Sequence, residues 1–512
     1  MMALKHKIHS TITLLGFILI GSILSSCEIL PDGYEVPPGA TSSAESAAEP
    51  TITFASAQPE PSPTLTIRDF PTIEAGESTS GPTSTPIQLP TYIKPSDAEV
   101  PLTYEGPWLM YCTEGGRGKW TITNADGTGR AMIGDNYYHY NPVIFPSHHS
   151  NFVAYHFSDW DGTINKISII RLPTMETLRV INTISYPGLL DSDEYNEELG
   201  GIRYALFDDP RWSPDGRYLA FVGAIEGPSS DLYVYDTLTD QVRRLTSGPN
   251  HAISPNWSPD SRWIVHREVD AFGADVGDVA TWASTVDGSQ NKRLYEPTHN
   301  VVLGWLSPSV FISIDNLTGL ARDIRLVDLA REQVTILFDG IFDFYGYDRN
   351  NGTIFFIPTG SNEDGIRYPD ELYKVSPENP TLEKAYPGRV LLEWDEWLQR
   401  FVSEDLPCEE GFIGTLTSSG DLECVERFFS EADLSWSPDR KWAIDKATGQ
   451  TLYNAAGEVV RQFTSLGATD IVWRPDSQGV FLYSDHYLFY LQVSDGDLML
   501  VDDRSPTYVS WV

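Results

Sequence analysis

The sequence predicts an all-β fold, a single closed ring of four-stranded antiparallel sheets over residues 104–512. Three observations carry this. A Trp-x-Pro-Asp tetrapeptide recurs at Trp212, Trp257, Trp436 and Trp473. Each copy is followed by a short run rich in β-branched and aromatic residues, the composition of a half-buried strand. The chain holds 14 Trp, 25 Tyr, 40 Gly and 35 Pro in 512 residues, which favours strands and turns over helices.

The elements follow from the N-terminus. Lys5 and Lys7 precede an apolar run, Ile12 to Leu24, of 13 residues. A membrane-spanning helix wants roughly 20, so the run suits the apolar core of an export signal. It ends in Leu24-Ser25-Ser26-Cys27, which resembles the bacterial lipobox. That resemblance implies removal of residues 1–26 and attachment of diacylglycerol to Cys27. The expected location is extracytoplasmic, on a bacterial membrane. Loss of the signal takes Lys5 and Lys7 and no acid, so the charge moves from −37 to −39. Such a chain is repelled by anionic headgroups, which leaves the lipid as its membrane contact. The same charge excludes a general nucleic-acid binder, since a phosphate backbone needs cations to neutralise it.

Residues 27–103 follow as the lipidated Cys and a tether. The stretch 28–100 has 12 Pro and 19 Ser or Thr, with Arg68 and Lys94 its only bases. It has no sustained period of either kind, cannot repay its ordering entropy and is expected to be disordered, with a mean span of about 45 Å.

The repeats begin near residue 104. Trp212-Ser213-Pro214-Asp215-Gly216 leads into Arg217-Tyr218-Leu219-Ala220-Phe221-Val222, and Trp257-Ser258-Pro259-Asp260-Ser261 into Arg262-Trp263-Ile264-Val265. Trp436 and Trp473 open equivalent units. The physics is readable: a strand ends at the Trp, Pro presets φ at the second position of a type I turn, and a second strand follows. A third, such as Asp231–Asp236, and a short fourth complete four strands in some 40 residues. Degenerate copies keep an aromatic anchor with an apolar residue seven later, as in Phe145 with Phe152, Trp305 with Ile312, Tyr347 with Ile354 and Trp394 with Phe401.

These motifs resemble the PD40/TolB family of WD40-like β-propeller repeats. The resemblance implies a β-propeller. The first unit, Trp108 to Ile133, has no anchor strand before it, and Tyr508-Val509-Ser510-Trp511-Val512 is an anchor strand with nothing after it. The C-terminal strand is therefore expected to complete the first blade and leave no free edge. Anchors at Phe145, Trp212, Trp257, Trp305, Tyr347, Trp394, Trp436, Trp473 and Trp511 point to eight or nine blades, with two packed propellers as the alternative.

The Ser-Pro-Asp turns are short, and the long insertions fall on the opposite face. Residues 184–208 join one blade to the next, and 223–230, 268–281, 359–370 and 403–411 join second to third strands. Binding residues concentrate on such loops. The candidate binding face carries Asp191, Asp193, Glu194, Tyr195, Glu268, Asp270, Asp275 and Asp278. Carboxylates at this density suit Ca²⁺ or a cationic partner, or serve only as a solvated rim; no stretch matches an EF-hand, and the metal is left unassigned. His139, His148, His149 and His156 cluster in sequence, with His148-His149 in a turn as the weak ligand candidate. Cys408 and Cys424, 16 residues apart in one unit, are a possible disulfide in an exported protein. Cys112 reads as a buried free thiol.

No Gly-x-Ser-x-Gly, His-Glu-x-x-His or phosphate-binding Gly loop is present. The expectation is a non-catalytic, monomeric surface lipoprotein without a cofactor, docking a protein or peptide of the cell envelope through its loop-rich face. The alternatives are glycan binding and, more remotely, a metal-dependent polysaccharide lyase recruiting His156 and His266.

Overall fold

The computed structural model describes residues 101–512 apart from 114–119, 134–139, 148, 159–164, 187–207, 273–274, 296–298, 318–319, 360–369, 396–397, 418, 427–433, 448, 464–469, 485, 495–497 and 505. The chain divides into Met1–Pro82 and Thr83–Val512. Every described residue belongs to the second unit. The expected signal, Cys27 and most of the tether lie outside the described residues.

Among the described residues there are 35 strands and no helix. β1 (Trp108–Cys112), β2 (Trp120–Asn124) and β3 (Ala131–Ile133) come first. Then come β4 (Tyr140–Pro146), β5 (Phe152–Ser158), β6 (Asn165–Arg171) and β7 (Glu176–Asn182), in one four-stranded sheet. The next sheet holds β8 (Arg211–Trp212), β9 (Tyr218–Gly223), β10 (Asp231–Asp236) and β11 (Gln241–Arg244). β12 (His251–Trp257), β13 (Trp263–Phe272), β14 (Asp275–Thr285) and β15 (Asn291–Tyr295) form another. A seven-stranded sheet follows, with β16 (Asn300–Ser307), β17 (Val310–Leu317), β18 (Leu320–Asp328), β19 (Gln333–Tyr347), β20 (Ile354–Pro358), β21 (Leu372–Val375) and β22 (Glu383–Tyr386). Four-stranded sheets resume with β23 (Glu393–Asp395), β24 (Arg400–Ser403), β25 (Phe412–Leu416) and β26 (Leu422–Glu426). The next is β27 (Leu434–Trp436), β28 (Trp442–Asp445), β29 (Thr451–Asn454) and β30 (Val459–Gln462). Last come β31 (Asp470–Trp473), β32 (Gly479–Tyr483), β33 (Leu488–Gln492) and β34 (Leu498–Asp502). β35 (Thr507–Trp511) does not extend that last sheet. It pairs antiparallel with β1, giving the order β3-β2-β1-β35. This all-β arrangement of four-stranded antiparallel sheets is consistent with a propeller.

The sheets form because their middle strands are apolar on both faces. β1, β2 and β20 are buried at every residue, and β10 at all but Asp236. Fourth strands such as β30, where all four residues face solvent, are more exposed. Neighbouring sheets share buried clusters. Ile122 packs in one with Val153, Ile169 with Phe221, Val234 with Ile264, and Val265 with Phe311. Phe355 joins Phe401, Leu452 joins Val480, and Phe481 joins Leu109. These clusters pack sheet against sheet, and the pairing of β35 with β1 joins the last strand of the chain to the first sheet.

The anchors stitch this stack with hydrogen bonds. The indole N–H of Trp212 donates to the Phe145 carbonyl at 2.9 Å, that of Trp257 to the Arg211 carbonyl at 2.9 Å, and that of Trp305 to Asn256 Oδ1 at 2.8 Å. Trp473 donates to the Ser435 carbonyl at 3.2 Å, and Trp511 to the Trp473 carbonyl at 2.6 Å. Each ring thus packs in an apolar seam and spends its one donor on the preceding anchor strand. Trp394 instead meets Phe401 edge-on, centroids 5.1 Å apart. Trp436 ends β27, and Arg440 lies over its ring.

Two sequence expectations change. Trp305 and Tyr347 were expected to open units in separate sheets, and β19 instead joins the two units in one seven-stranded sheet. β19 runs 15 residues without a break, pairing first with β18 and then with β20. Leu337, Phe338 and Phe342 are buried through the crossing, so no polar turn is required. Residues 268–281 are not a loop either. They are the extended ends of β13 and β14, paired from Trp263↔Thr285 to Phe272↔Asp275. The charges that read as a loop are compatible with strand because this hairpin outruns its flanking strands. Cys408 and Cys424 form a disulfide, and Cys112 is a buried free thiol in β1.

Candidate functional site

The two ends of the sheets differ. At one end the Ser-Pro-Asp turns close tightly. Backbone bonds run from Gly216 to Ser213 (2.8 Å), Ser261 to Ser258, Arg440 to Ser437 and Ser477 to Arg474 (each 2.9 Å). Their fourth residues have φ of 69°, 60°, 57° and 61°, the left-handed region in which glycine is cheapest. Gly216 holds the place least strained. The turn serine accepts the N–H that starts the next strand, at 2.9 Å for Tyr218 and Trp263 and 3.1 Å for Trp442. Asp215 and Asp439 donate their N–H groups to Ser261 and Ser477 of the next anchor turn, at 3.1 and 2.9 Å. This end is consumed by its own hydrogen bonds.

The other end projects. β12 begins at His251, opposite Val269, and β15 ends at Tyr295, opposite Thr281. The β13–β14 hairpin beyond those pairs stands clear of its sheet. At its base, Arg267 Nε and Nη2 donate to Asp278 Oδ1 at 2.9 and 2.5 Å. His299 Nδ1 lies 3.3 Å from Asp278 Oδ2 and 2.8 Å from Arg267 Nη2. The His299 N–H donates to Asp315 Oδ1 at 2.9 Å, which ties the hairpin to β17 of the next sheet. Burial pushes the Asp278 carboxyl up, but His299 and Arg267 outweigh it and hold the carboxyl below its ordinary value. Glu268 accepts from Asn250 Nδ2 at 2.7 Å and Trp282 Nε1 at 2.6 Å. Asp270 is exposed.

The expected binding residues therefore divide. Glu268 and Asp278 are internal supports of the hairpin, Asp270 is free to meet solvent, and Asp275 is placed only as the first residue of β14. Asp191, Asp193, Glu194 and Tyr195 lie outside the described residues, as do His139 and His148. His149 is exposed in its turn. Sequence reasoning missed Arg267, His299 and the Asp231–Arg244 pair (2.5 Å). Their partners come from cross-strand register, which leaves no local signal.

Asp208 is the last residue of the insertion expected at 184–208. Its carboxylate accepts the N–H of Ser254, a residue with φ of 57° at a bulge in β12. Burial pushes its pKa up to about 6, against the pull of that N–H and of Arg211 and Arg267. A raised carboxyl pKa contributes stability in full below the unfolded value, and loses it as pH rises through about 6. Asp208→Asn is therefore expected to raise the melting temperature at pH 8 and leave it nearly unchanged at pH 4. Equal shifts at both pH values would remove Asp208 from this role.

The histidines recruited by the lyase reading are each bonded within their own sheet. His156 Nε2 bonds Asn165 Oδ1 at 2.8 Å, and burial pushes its pKa down. His266 is 2% exposed, bonds Ser284 Oγ at 3.1 Å, and is pushed by burial down to about 4. Among the described residues no three His, Cys, Asp or Glu side chains converge as a metal site. His156 and His266 each hold one bond inside their own sheet, and the hairpin is an acidic projection braced at its base.

No family model matches the chain. A stretch of 57 residues is 47% identical to the uncharacterized peptidase YuxL of Bacillus subtilis, covering 11% of this chain and 9% of that protein. A stretch of 137 residues is 31% identical to the uncharacterized protein Atu1656 of Agrobacterium fabrum, covering 25% and 45%. The chain thus spans less than half the length of either relative. Similar solved structures include a putative TolB from Agrobacterium tumefaciens, at 21% identity and TM-score 0.27, covering 47% of this chain and 80% of that one. The oligogalacturonate lyase of Vibrio parahaemolyticus is another, at 13% and 0.31, covering 70% and 97%. The acylaminoacyl peptidase of Pyrococcus horikoshii matches at 14% and 0.32, covering 69% and 51%. At these scores the fold rests on the chain's own sheets and pairings.

Proposed function

We propose that this protein is a non-catalytic docking module, a single closed propeller of nine blades that binds a protein or peptide of the cell envelope. The reading of nine takes β4, β8, β12, β16, β19, β23, β27, β31 and β35 as anchor strands, with β19 serving both units of the seven-stranded sheet, and the β1–β35 pairing is in keeping with closure. The observation that carries the function is the contrast between the two ends. One is sealed by turn-to-turn hydrogen bonds, and the other raises a hairpin braced by Arg267, Asp278 and His299. A rigid projection with an exposed acid, on a chain of formal charge −37, suits a partner that presents cations. Lipid attachment at Cys27 and an extracytoplasmic location complete the reading, and TolB-like repeats are in keeping with it.

The test is in-cell crosslinking of the tagged full chain beside a variant with residues 271–276 replaced by Asn-Gly. That replacement keeps the Asp270↔Gly277 pair and closes the shortened hairpin with a favoured turn. The expected result is a reproducible protein crosslinked by the parent chain and lost from the variant, with both melting alike. Undiminished capture by the variant would place the docking surface elsewhere.

A further inference from the structure

The seam between the seven-stranded sheet and β23–β26 is held differently from its neighbours. The indoles of Trp212, Trp257, Trp305, Trp473 and Trp511 each donate to the preceding anchor strand. The Trp394 indole N–H is buried, and among the described residues it meets no acceptor. Its ring packs on the cluster that spans the seam, with Phe355, Ile357 and Leu372 on one side and Phe401 and Leu416 on the other. Polar ties across this seam run at the surface. Asn350 Nδ2 donates to Gln399 Oε1 at 3.0 Å, and Lys374 Nζ to the Ser419 carbonyl at 2.6 Å.

A strap takes the place of the missing indole bond. Residues 404–411 join β24 to β25 and fold back over the sheet. Leu406, 3% exposed, belongs to the seam cluster. It lies against Gly414, where a Cβ would collide with it. Asp405 Oδ2 accepts the N–H of Leu391, in the segment that leads into β23, at 3.0 Å. Cys408 of the strap is bonded to Cys424 in β26, the last strand of the sheet. Cys424 is exposed and Cys408 half-buried, so a thiolate from solution can reach the bond.

We propose that the Cys408–Cys424 bond is a thiol–disulfide exchange site: a dithiol reduces it in the folded protein, and the freed strap loosens the seam. The thiolate of the dithiol attacks the Cys424 sulfur, the S–S bond breaks, and Cys408 leaves as a thiolate that takes a proton. The second thiol of the reductant then attacks the mixed disulfide and frees Cys424. Two electrons pass to the protein, which gains two thiols, and the reductant ends as a disulfide. The released strap withdraws Leu406 and the Asp405 bond from a seam that has no Trp394 indole bond to fall back on. Cys112 is buried in β1 and takes no part.

The test treats the full chain with dithiothreitol in native buffer, labels thiols with iodoacetamide and reads each cysteine by peptide mass. Cys408 and Cys424 are expected to label while Cys112 stays protected, since only global unfolding exposes Cys112. Amide exchange in the strap and in β25 should then rise on the order of 10²-fold, the weight of a clasp across a sequence separation of 16. Exchange in β9 and β10 should be unchanged, and reoxidation should restore the slow rate. A variant carrying Cys408→Ser and Cys424→Ser should exchange at the reduced rate with no thiol present, which isolates loss of the bond from other effects of the reductant. Labelling of Cys408 and Cys424 only together with Cys112 would show a staple closed to exchange and overturn the proposal. So would strap exchange that reduction leaves unchanged.

Discussion

Deleting residues 507–512 is expected to abolish cooperative folding. β35 covers one edge of β1, whose five residues are all buried. The Trp108 N–H donates to the Val512 carbonyl at 3.2 Å, and the Val512 N–H returns a bond to Trp108 at 2.9 Å. Without β35 the Trp108 N–H and carbonyl lose these partners, and each unsatisfied buried group costs about 1–3 kcal/mol. Trp511 adds its bond to the Trp473 carbonyl and an edge-on contact with Phe481, centroids 5.6 Å apart. Truncating such a ring costs about 3 kcal/mol or more. The total reaches the whole stability of an ordinary domain, about 5–15 kcal/mol. Urea unfolding followed by Trp fluorescence checks this, with Trp511→Ala as the milder variant. A deleted chain that unfolds at the parent midpoint would show that β35 is dispensable.

Asp502→Ala should cost about 3–5 kcal/mol, the range for removing one partner of a buried ionic network. The Asp502 side chain is 1% exposed. It accepts from Tyr111 Oη at 2.9 Å, from Arg504 Nε and Nη2 at 3.0 and 2.9 Å, and pairs with Arg130 at 3.2 Å. It therefore ties the last strand before the C-terminal one to β1 and to the start of β3. Arg130 and Arg504 are partly exposed and can rehydrate, but the Tyr111 hydroxyl cannot. Burial pushes the Asp502 carboxyl up, yet Arg504, Arg130 and Tyr111 outweigh it and hold it below the ordinary value. A depressed carboxyl pKa gives stability that is present above the unfolded value, near 4, and lost as pH falls through the folded one. The destabilisation by Asp502→Asn should accordingly be large at pH 7 and shrink at pH 3. Thermal melts at the two pH values decide it, and an unchanged melting temperature at pH 7 would remove Asp502 from the seam.

The legible parts of the fold were those written in contiguous residues. Trp-Ser-Pro-Asp encodes a strand end, a preset φ and a turn within four positions, so the turns at Ser213, Ser258 and Ser437 could be read directly. The strand Asp231–Asp236 could be read to the residue, because alternating outer positions and apolar centre are local properties. Trp511 was legible as an anchor because Tyr508-Val509-Ser510-Trp511 has the make-up of the other anchor strands.

The candidate site was legible only in outline. Asp270 and Asp278 are both acids on one strand-forming stretch, and composition cannot separate them. Cross-strand register turns Asp278 inward to Arg267 and leaves Asp270 in solvent. His299 enters that group from 32 residues beyond Arg267, and β19 merges two units because Leu337, Phe338 and Phe342 find buried seams on the way.

What the sequence determined by itself is the repeat, its turns, the anchor positions and the acidic charge, since each depends on neighbours in the chain. What only the tertiary structure decided is which acids are braced and which histidines are sealed. Those depend on register and on the packing of one sheet against the next. Both bring together residues tens to hundreds of positions apart, as Tyr111 and Asp502 show, and no local pattern encodes such a meeting.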